Sequence, residues 1–259
     1  MQLKFKPTTP MKRLLLIQND AAGTGKTTLT HCLARYLRHH GADHQILNLV
    51  SEKDPLADDL TLEADSLSGA RFLSHLDDSN ITVLEIETGL GEFFGNFYQH
   101  NDLENILSEA GIQLSVVLPV TAESDTFDSV IRAAEVYSDT AEYTIAHLIT
   151  GSYDDDDSTW DRSYAARVMD MFEAVELYIP EIGFQLEMDL RAHHIELPEA
   201  LAEPDAGEIF GRDFTQWLTR SNSQIDGARQ YLFGDAFIPT ASPAIAKSAH
   251  KNTRRKASF

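Results

Sequence analysis

Asn19-Asp20-Ala21-Ala22-Gly23-Thr24-Gly25-Lys26-Thr27-Thr28 lies between two stretches of regular pattern. Before it come four consecutive apolar residues, Leu14 to Ile17, which read as a buried strand. After it, Leu29, Cys32, Leu33, Tyr36 and Leu37 share one helical face, and Gly41 closes that helix as a C-terminal cap. Strand, glycine-bearing turn, Gly-Lys-Thr and helix, in that order, define a phosphate-binding loop. Gly23 and Gly25 let the backbone curl so that successive N–H groups point at phosphate oxygens. The helix starting near Lys26 adds the positive end of its dipole. Lys26 has the reach for β- and γ-phosphates, and the Thr27 hydroxyl can complete a magnesium shell. The candidate cofactor-binding residues are therefore Gly23, Thr24, Gly25, Lys26, Thr27 and Thr28. Asp20 stands where such loops usually begin with glycine, and it brings an acid close to where a polyphosphate would lie.

With 259 residues the chain can build one large α/β domain or two small ones, and its 42% hydrophobic content is ordinary for a globular protein. A formal net charge of −20 sets it apart. Such a surface repels nucleic acid and anionic lipid head groups, so DNA binding by the isolated chain is not expected. The single cysteine, Cys32, excludes an internal disulfide and falls on the apolar helix face, where it reads as a small core residue. The apolar run after Arg13 is too short for a signal peptide or a membrane span, and a cytoplasmic location is expected.

Further strands are predicted over Ile46–Val50, Ile81–Ile86, Leu114–Val120, Tyr143–Thr150 and Val175–Ile179. Helical periodicity lies between them. Leu67, Ala70, Leu73 and Leu76 are in reach of a core, Phe127, Val130, Ile131 and Ala134 follow Ser124 or Asp125 as N-cap, and Ala165, Val168, Met169 and Phe172 mark another helix. Phe210, Phe214, Trp217 and Leu218 mark a final helix. Alternation of this kind predicts an α/β three-layer sandwich, a mostly parallel sheet with helices on both faces. The boundaries drawn are a lead-in over 1–10, the phosphate-loop domain over 11–234 and a disordered basic tail over 235–259. After Asp235 the tail has five Lys or Arg residues and no acid. It reads either as an anchor for a polyanion or as a segment lying against its own acidic body.

Acids close two of the strands, Glu52 and Asp54 before Pro55, and Glu87 in Glu87-Thr88-Gly89. The carboxyl edge of a parallel sheet is where functional groups collect. In this order the features resemble the ParA/MinD family of P-loop ATPases, and within it the TraL-like proteins of conjugative transfer. Ala21 to Thr28 stands where that family has Lys-Gly-Gly-x-Gly-Lys-(Ser/Thr). Glu52 to Pro55 stands where it has Asp-x-Asp-Pro, and Glu87 to Phe93 where the TraL-like sequences have Asp-Asn-Gly-x-x-x-Phe. The resemblance covers roughly residues 12 to 185. It implies ATP and Mg2+ as cofactors, with Lys26, Asp54, Glu87 and Glu52 in catalysis and Thr27, Glu52, Asp54 and Glu87 around the metal. Ala21 occupies the place of the family's additional lysine, which reaches across a nucleotide-sandwich dimer.

The function implied is a magnesium-dependent ATP-binding protein, a slow ATPase acting as a nucleotide switch in positioning, partition or conjugative transfer of a macromolecular cargo. Its expected partners are nucleotide and another protein, with a homodimer allowed by the resemblance. Two alternatives stand beside it: a P-loop kinase of a small metabolite, and an interaction module that binds nucleotide without hydrolysing it. The acid run Asp154 to Asp157 reads as a solvated loop. His39, His40, His44, His193 and His194 read as surface residues, because adjacent histidines point to different helix faces.

Overall fold

The structure is a computed structural model that describes residues 11–148 and 159–237. The lead-in over 1–10, the Asp154–Asp157 run and the tail beyond Phe237 lie outside the described residues.

Seven strands form one sheet: β1 (Lys12–Ile17), β2 (His44–Val50), β3 (Thr61–Glu63), β4 (Ile81–Ile86), β5 (Ile112–Val120), β6 (Ala141–Leu148) and β7 (Val175–Ile179). Their order is β3-β2-β4-β1-β5-β6-β7, and every neighbouring pair is parallel. Parallel strands need helical crossovers, which cover both faces and explain why β1 reads as an unbroken apolar run. Leu14 and Leu16 enter one core, and Leu15 and Ile17 enter the other. The chain leaves β1 for β2 on one side and later reaches β5 on the other. This reversal of direction opens a crevice at the carboxyl ends of the strands around β1.

On one face lie α2 (Gly69–Leu76), α3 (Gly91–His100), α4 (Leu103–Glu109), α5 (Asp125–Tyr137) and α6 (Tyr164–Met171), burying Phe72, Phe94, Leu103, Val130 and Met169 among others. The opposite face carries α1 (Lys26–His39), α7 (Phe184–Ala192), α8 (Leu197–Ala202), α9 (Ala206–Ile209) and the long α10 (Gly211–Phe233). Helix α1 closes as the sequence predicts, one residue past its cap. Gly41 takes φ +67°, its N–H reaches the Arg38 carbonyl, and the Ala42 N–H reaches that of Leu37, a Schellman ending. Cys32 is buried in the second core, where desolvation pushes its thiol up to about 12 and keeps it unreactive.

Three features differ from the sequence reading. Strand β3 has only three residues, pairing Asn48 with Thr61, and is too short to show a period. Ala70 is exposed, because α2 starts at Gly69 and turns Phe72 and Leu76 inward instead. Arg13, at the start of β1, is buried at 2% exposure, and desolvation lowers its pKa. It donates to Ser115 Oγ at 2.9 Å and to the Leu232 carbonyl at 3.1 Å, and it pairs with Glu142. The guanidinium thereby joins β1, β5 and β6 to the C-terminal end of α10, where a cation complements the helix dipole.

Candidate functional site

The loop between β1 and α1 crosses the switch point of the sheet. Gly25, at φ +78° and ψ 22°, is the N-cap of α1 and makes no side-chain capping bond. A left-handed backbone there suits glycine, and a Cβ would also overlap Leu148 Cδ2 at the end of β6. The N-terminal N–H groups of α1 are thus presented by a bare backbone turn. Asn19, only 2% exposed, shapes the turn from below. Its Nδ2 donates to the Pro119 and Thr126 carbonyls at 2.9 and 3.0 Å, and its Oδ1 accepts from the Ala21 N–H at 2.9 Å.

Lys26 is buried, with 7% exposure, a departure from the exposed loop–helix junction that its place in the sequence suggests. Its ammonium donates to the Asn19 carbonyl at 2.7 Å and to Thr88 Oγ1 at 2.9 Å, with the Ala21 carbonyl at 3.5 Å. Desolvation lowers its pKa, opposed by the charges of Glu85, Asp20 and Glu87. The Thr27 hydroxyl donates to Glu85 Oε1 at 2.5 Å. Glu85 was missed in the sequence. The signal available was an acid inside β4, a strand otherwise buried on both faces, and the register places it between Ile17 of β1 and Asn48 of β2.

Gly23, Thr24, Gly25, Lys26, Thr27, Thr28, Glu85 and Glu87 all line one cleft of about 1010 Å³. Glu87 turns toward the end of β2, where its carboxylate accepts from the Ser51 N–H at 2.6 Å, and hydrogen bonding from the Ser51 side chain and then its backbone lowers its pKa. Glu52 and Asp54 are not brought to this cleft. Both are exposed in the loop after β2, and Asp54 Oδ1 accepts from the Leu56 N–H at 2.8 Å, closing a local turn. Asp58 and Leu60, from the same loop, line the cleft in their place. Asp20 also points elsewhere. Its Oδ1 accepts from the Gly91 N–H at 2.9 Å at the start of α3, and its Oδ2 pairs with Arg132 of α5 at 3.0 Å. The acid that stands in place of glycine therefore caps a neighbouring helix and does not face the cleft.

These residues fit a phosphate group and a hard cation. An uncapped 14-residue helix start and a lysine supply donors for phosphate oxygens. The buried Thr24 Oγ1, which finds no hydrogen-bond partner among the described residues, can add to them. Thr27 and Glu85 place a hydroxyl and a carboxylate side by side, the donor types magnesium takes when phosphates complete its shell. Among the described residues, four carboxylates (Asp58, Glu85, Glu87 and Glu196) line the cleft with one ammonium, that of Lys26. A polyphosphate entering it without a cation would meet net repulsion.

No family model matches the chain, and no curated protein matches its sequence. Among solved structures it is similar to a chain of the MinC:MinD cell division protein complex of Aquifex aeolicus. The identity is 14% and the TM-score 0.43, over 80% of this chain and 96% of that one. It is also similar to the MinD cell division protein of Aquifex aeolicus, at 12% identity and TM-score 0.40, over 86% and 92% of the two chains. Likeness at this level brings no function across, and the α/β fold stands on the sheet order given above. Among the described residues no helix is long and apolar enough to cross a membrane.

Proposed function

We propose that this chain binds a nucleoside triphosphate, taken as ATP on the family resemblance, together with Mg2+, and that it hydrolyses it slowly as a switch. The observation that carries the reading is the constellation at the start of α1. Lys26 is tethered over the loop, and the Thr27 hydroxyl rests on Glu85, both in the cleft at the switch point. When bound, magnesium supplies charge neutralisation at the phosphates. Lys26 gives its N–H donors to phosphate oxygens, Thr27 and Glu85 offer oxygen ligands to the cation, and the first-turn N–H groups of α1 orient the chain of phosphates. Glu85 thus takes the metal role first assigned to Glu52 and Asp54, with Glu87 the second acid within reach.

Lys26 bonds Thr88 in the β4–α3 loop, and Glu87 in the same loop bonds Ser51 at the end of β2. A phosphate that claims Lys26 competes with Thr88, so both loops would register its presence, which is what a switch requires. Cargo positioning, partition or conjugative transfer, with a protein partner and in a dimer, rests on the three resembling segments alone. The kinase reading is disfavoured because, among the described residues, no arginine lines the cleft to clamp a transferring phosphoryl group. The reading as a binding module without turnover is favoured by one observation: Asp54, one of the residues to which the resemblance gives a catalytic role, is committed to its own turn outside the cleft. Equilibrium binding of labelled ATP, GTP and ADP with and without magnesium, followed by single-turnover hydrolysis, separates these readings. Binding with slow phosphate release supports the switch. Binding with no release selects the module, and no nucleotide binding in magnesium removes both.

A further inference from the structure

The cleft extends well past the phosphate loop. Along β2 the side chains alternate, with Leu47 and Leu49 buried in the first core while His44, Ile46, Asn48 and Val50 on the other side stay half-buried. That second side of the sheet edge lines the cleft between α1, represented by Thr27 and His31, and the start of α8 at Glu196, Leu197 and Pro198. The result is a groove whose floor sets Ile46 and Val50 beside His44 and Asn48, between carboxylate walls. Desolvation lowers the pKa of His31, against the raising effect of Glu85, so its imidazole offsets them less than an exposed one would. A segment that fits this groove is cationic, extended and able to lay methylene stems on Ile46 and Leu197.

We propose that the groove holds the chain's own basic C-terminal segment, residues 238–259. The segment carries Lys247, Lys251, Arg254, Arg255 and Lys256 and no acid, so its charge is complementary to a wall of Asp58, Glu85, Glu87 and Glu196. The point where the described chain ends brings it within reach. Phe237 is 6% exposed, with its ring 5.8 Å from that of Tyr36 and 5.5 Å from that of His40, at the far end of α1. From Tyr36 back to His31 and Thr27, which line the groove, is about 8 to 14 Å along the helix axis. The ten residues from Phe237 to Lys247 can span about 33 Å when extended. The basic cluster is therefore long enough to enter the groove. Once there, it occupies the carboxylates that a cation-bound polyphosphate would need, which makes the tail an internal competitor at the proposed nucleotide site. The docking itself rests on the groove, its charge and the reach of the tail; only the competition rests on the nucleotide reading.

Zero-length carbodiimide cross-linking of the full-length chain at low ionic strength tests it, with peptide mapping and a mixture of light and heavy isotope-labelled protein. The Lys12–Asp77 pair, at 2.9 Å, serves as internal control. Expected are cross-links within one chain from Lys247, Lys251 or Lys256 to Asp58 or Glu196. They should fade at high salt and also when magnesium and ATP are added. The proposal is overturned if the control forms while the tail lysines join only acids outside the groove or none, or if the tail cross-links run only between light and heavy chains. Tail cross-links to Asp58 or Glu196 that ATP leaves unchanged retain the docking and overturn the competition. That result is distinguishable from failure of the nucleotide reading, which direct binding measures separately.

Discussion

At the scale of single residues, Glu85 and Asp54 make opposite predictions. Glu85→Gln should weaken ATP binding in magnesium about 10- to 100-fold by removing a charge-assisted contact to the cation. In the absence of magnesium the same change should strengthen binding, because one repelling carboxylate has gone from the cleft. Asp54→Asn should alter affinity less than about twofold, since its side chain is committed to the Leu56 N–H. Titrations of both variants with and without the metal check this directly. That residues 23–28 line the cleft was legible because strand, glycines and lysine are contiguous in sequence. Glu85 was not, because what recruits it is the β1–β4–β2 pairing, a long-range fact. A second residue-scale prediction concerns Glu176 of β7, which accepts from Trp160 Nε1 at 3.0 Å and from the Tyr178 hydroxyl and lies 3.5 Å from His147 Nε2. The contact with His147, followed by the Tyr178 and Trp160 hydrogen bonds, holds its carboxyl down to about 2 against the opposing effect of burial. A depressed carboxylate pKa contributes stability above the unfolded value, about 4.3, and loses it as pH falls toward 2. The melting-temperature gap between wild type and Glu176→Gln should therefore be full near pH 5 and shrink steadily below pH 4.

At the scale of elements, the strands buried on both faces were readable as apolar runs, and the amphipathic α1 and α5 as helical periods. Strand β3 and the short helices α7 and α8 were not, since their positions are set by docking. Arg35 and Arg38 of α1 donate to the Leu201, Glu203 and Ala202 carbonyls at the end of α8, an interaction with no local signal. Arg13 works in the same way for α10, whose last turn it joins to three strands. Arg13→Ala removes a donor from the Leu232 carbonyl and from Ser115 Oγ, which keep the Ser115–Leu232 hydrogen bond at 3.0 Å, and it leaves Glu142 without that cation. It should cost about 2–3 kcal/mol, less than a fully buried pair because Glu142 is 44% exposed and can be hydrated. Chemical denaturation should show a lower midpoint. Hydrogen exchange should rise first in the C-terminal half of α10; uniform change across the sheet would contradict the assignment.

At the scale of the whole molecule, a net charge of −20 and four carboxylates lining the cleft among the described residues oppose a phosphate ligand unless a cation accompanies it. Acidity was plain from composition, but its concentration around the phosphate loop emerges only when β2, β4 and α8 come together. Magnesium dependence should accordingly be steep, with ATP affinity falling at least about tenfold when the metal is chelated. The most direct measurement is isothermal titration of ATP into wild type and Lys26→Ala, in magnesium, with the thermal midpoint of each protein recorded. Loss of a charge-assisted phosphate contact of about 1.5–3 kcal/mol predicts roughly 10- to 100-fold weaker binding by a variant that still unfolds cooperatively. Equal ATP affinity in the folded variant and the wild type would contradict a nucleotide site at this loop.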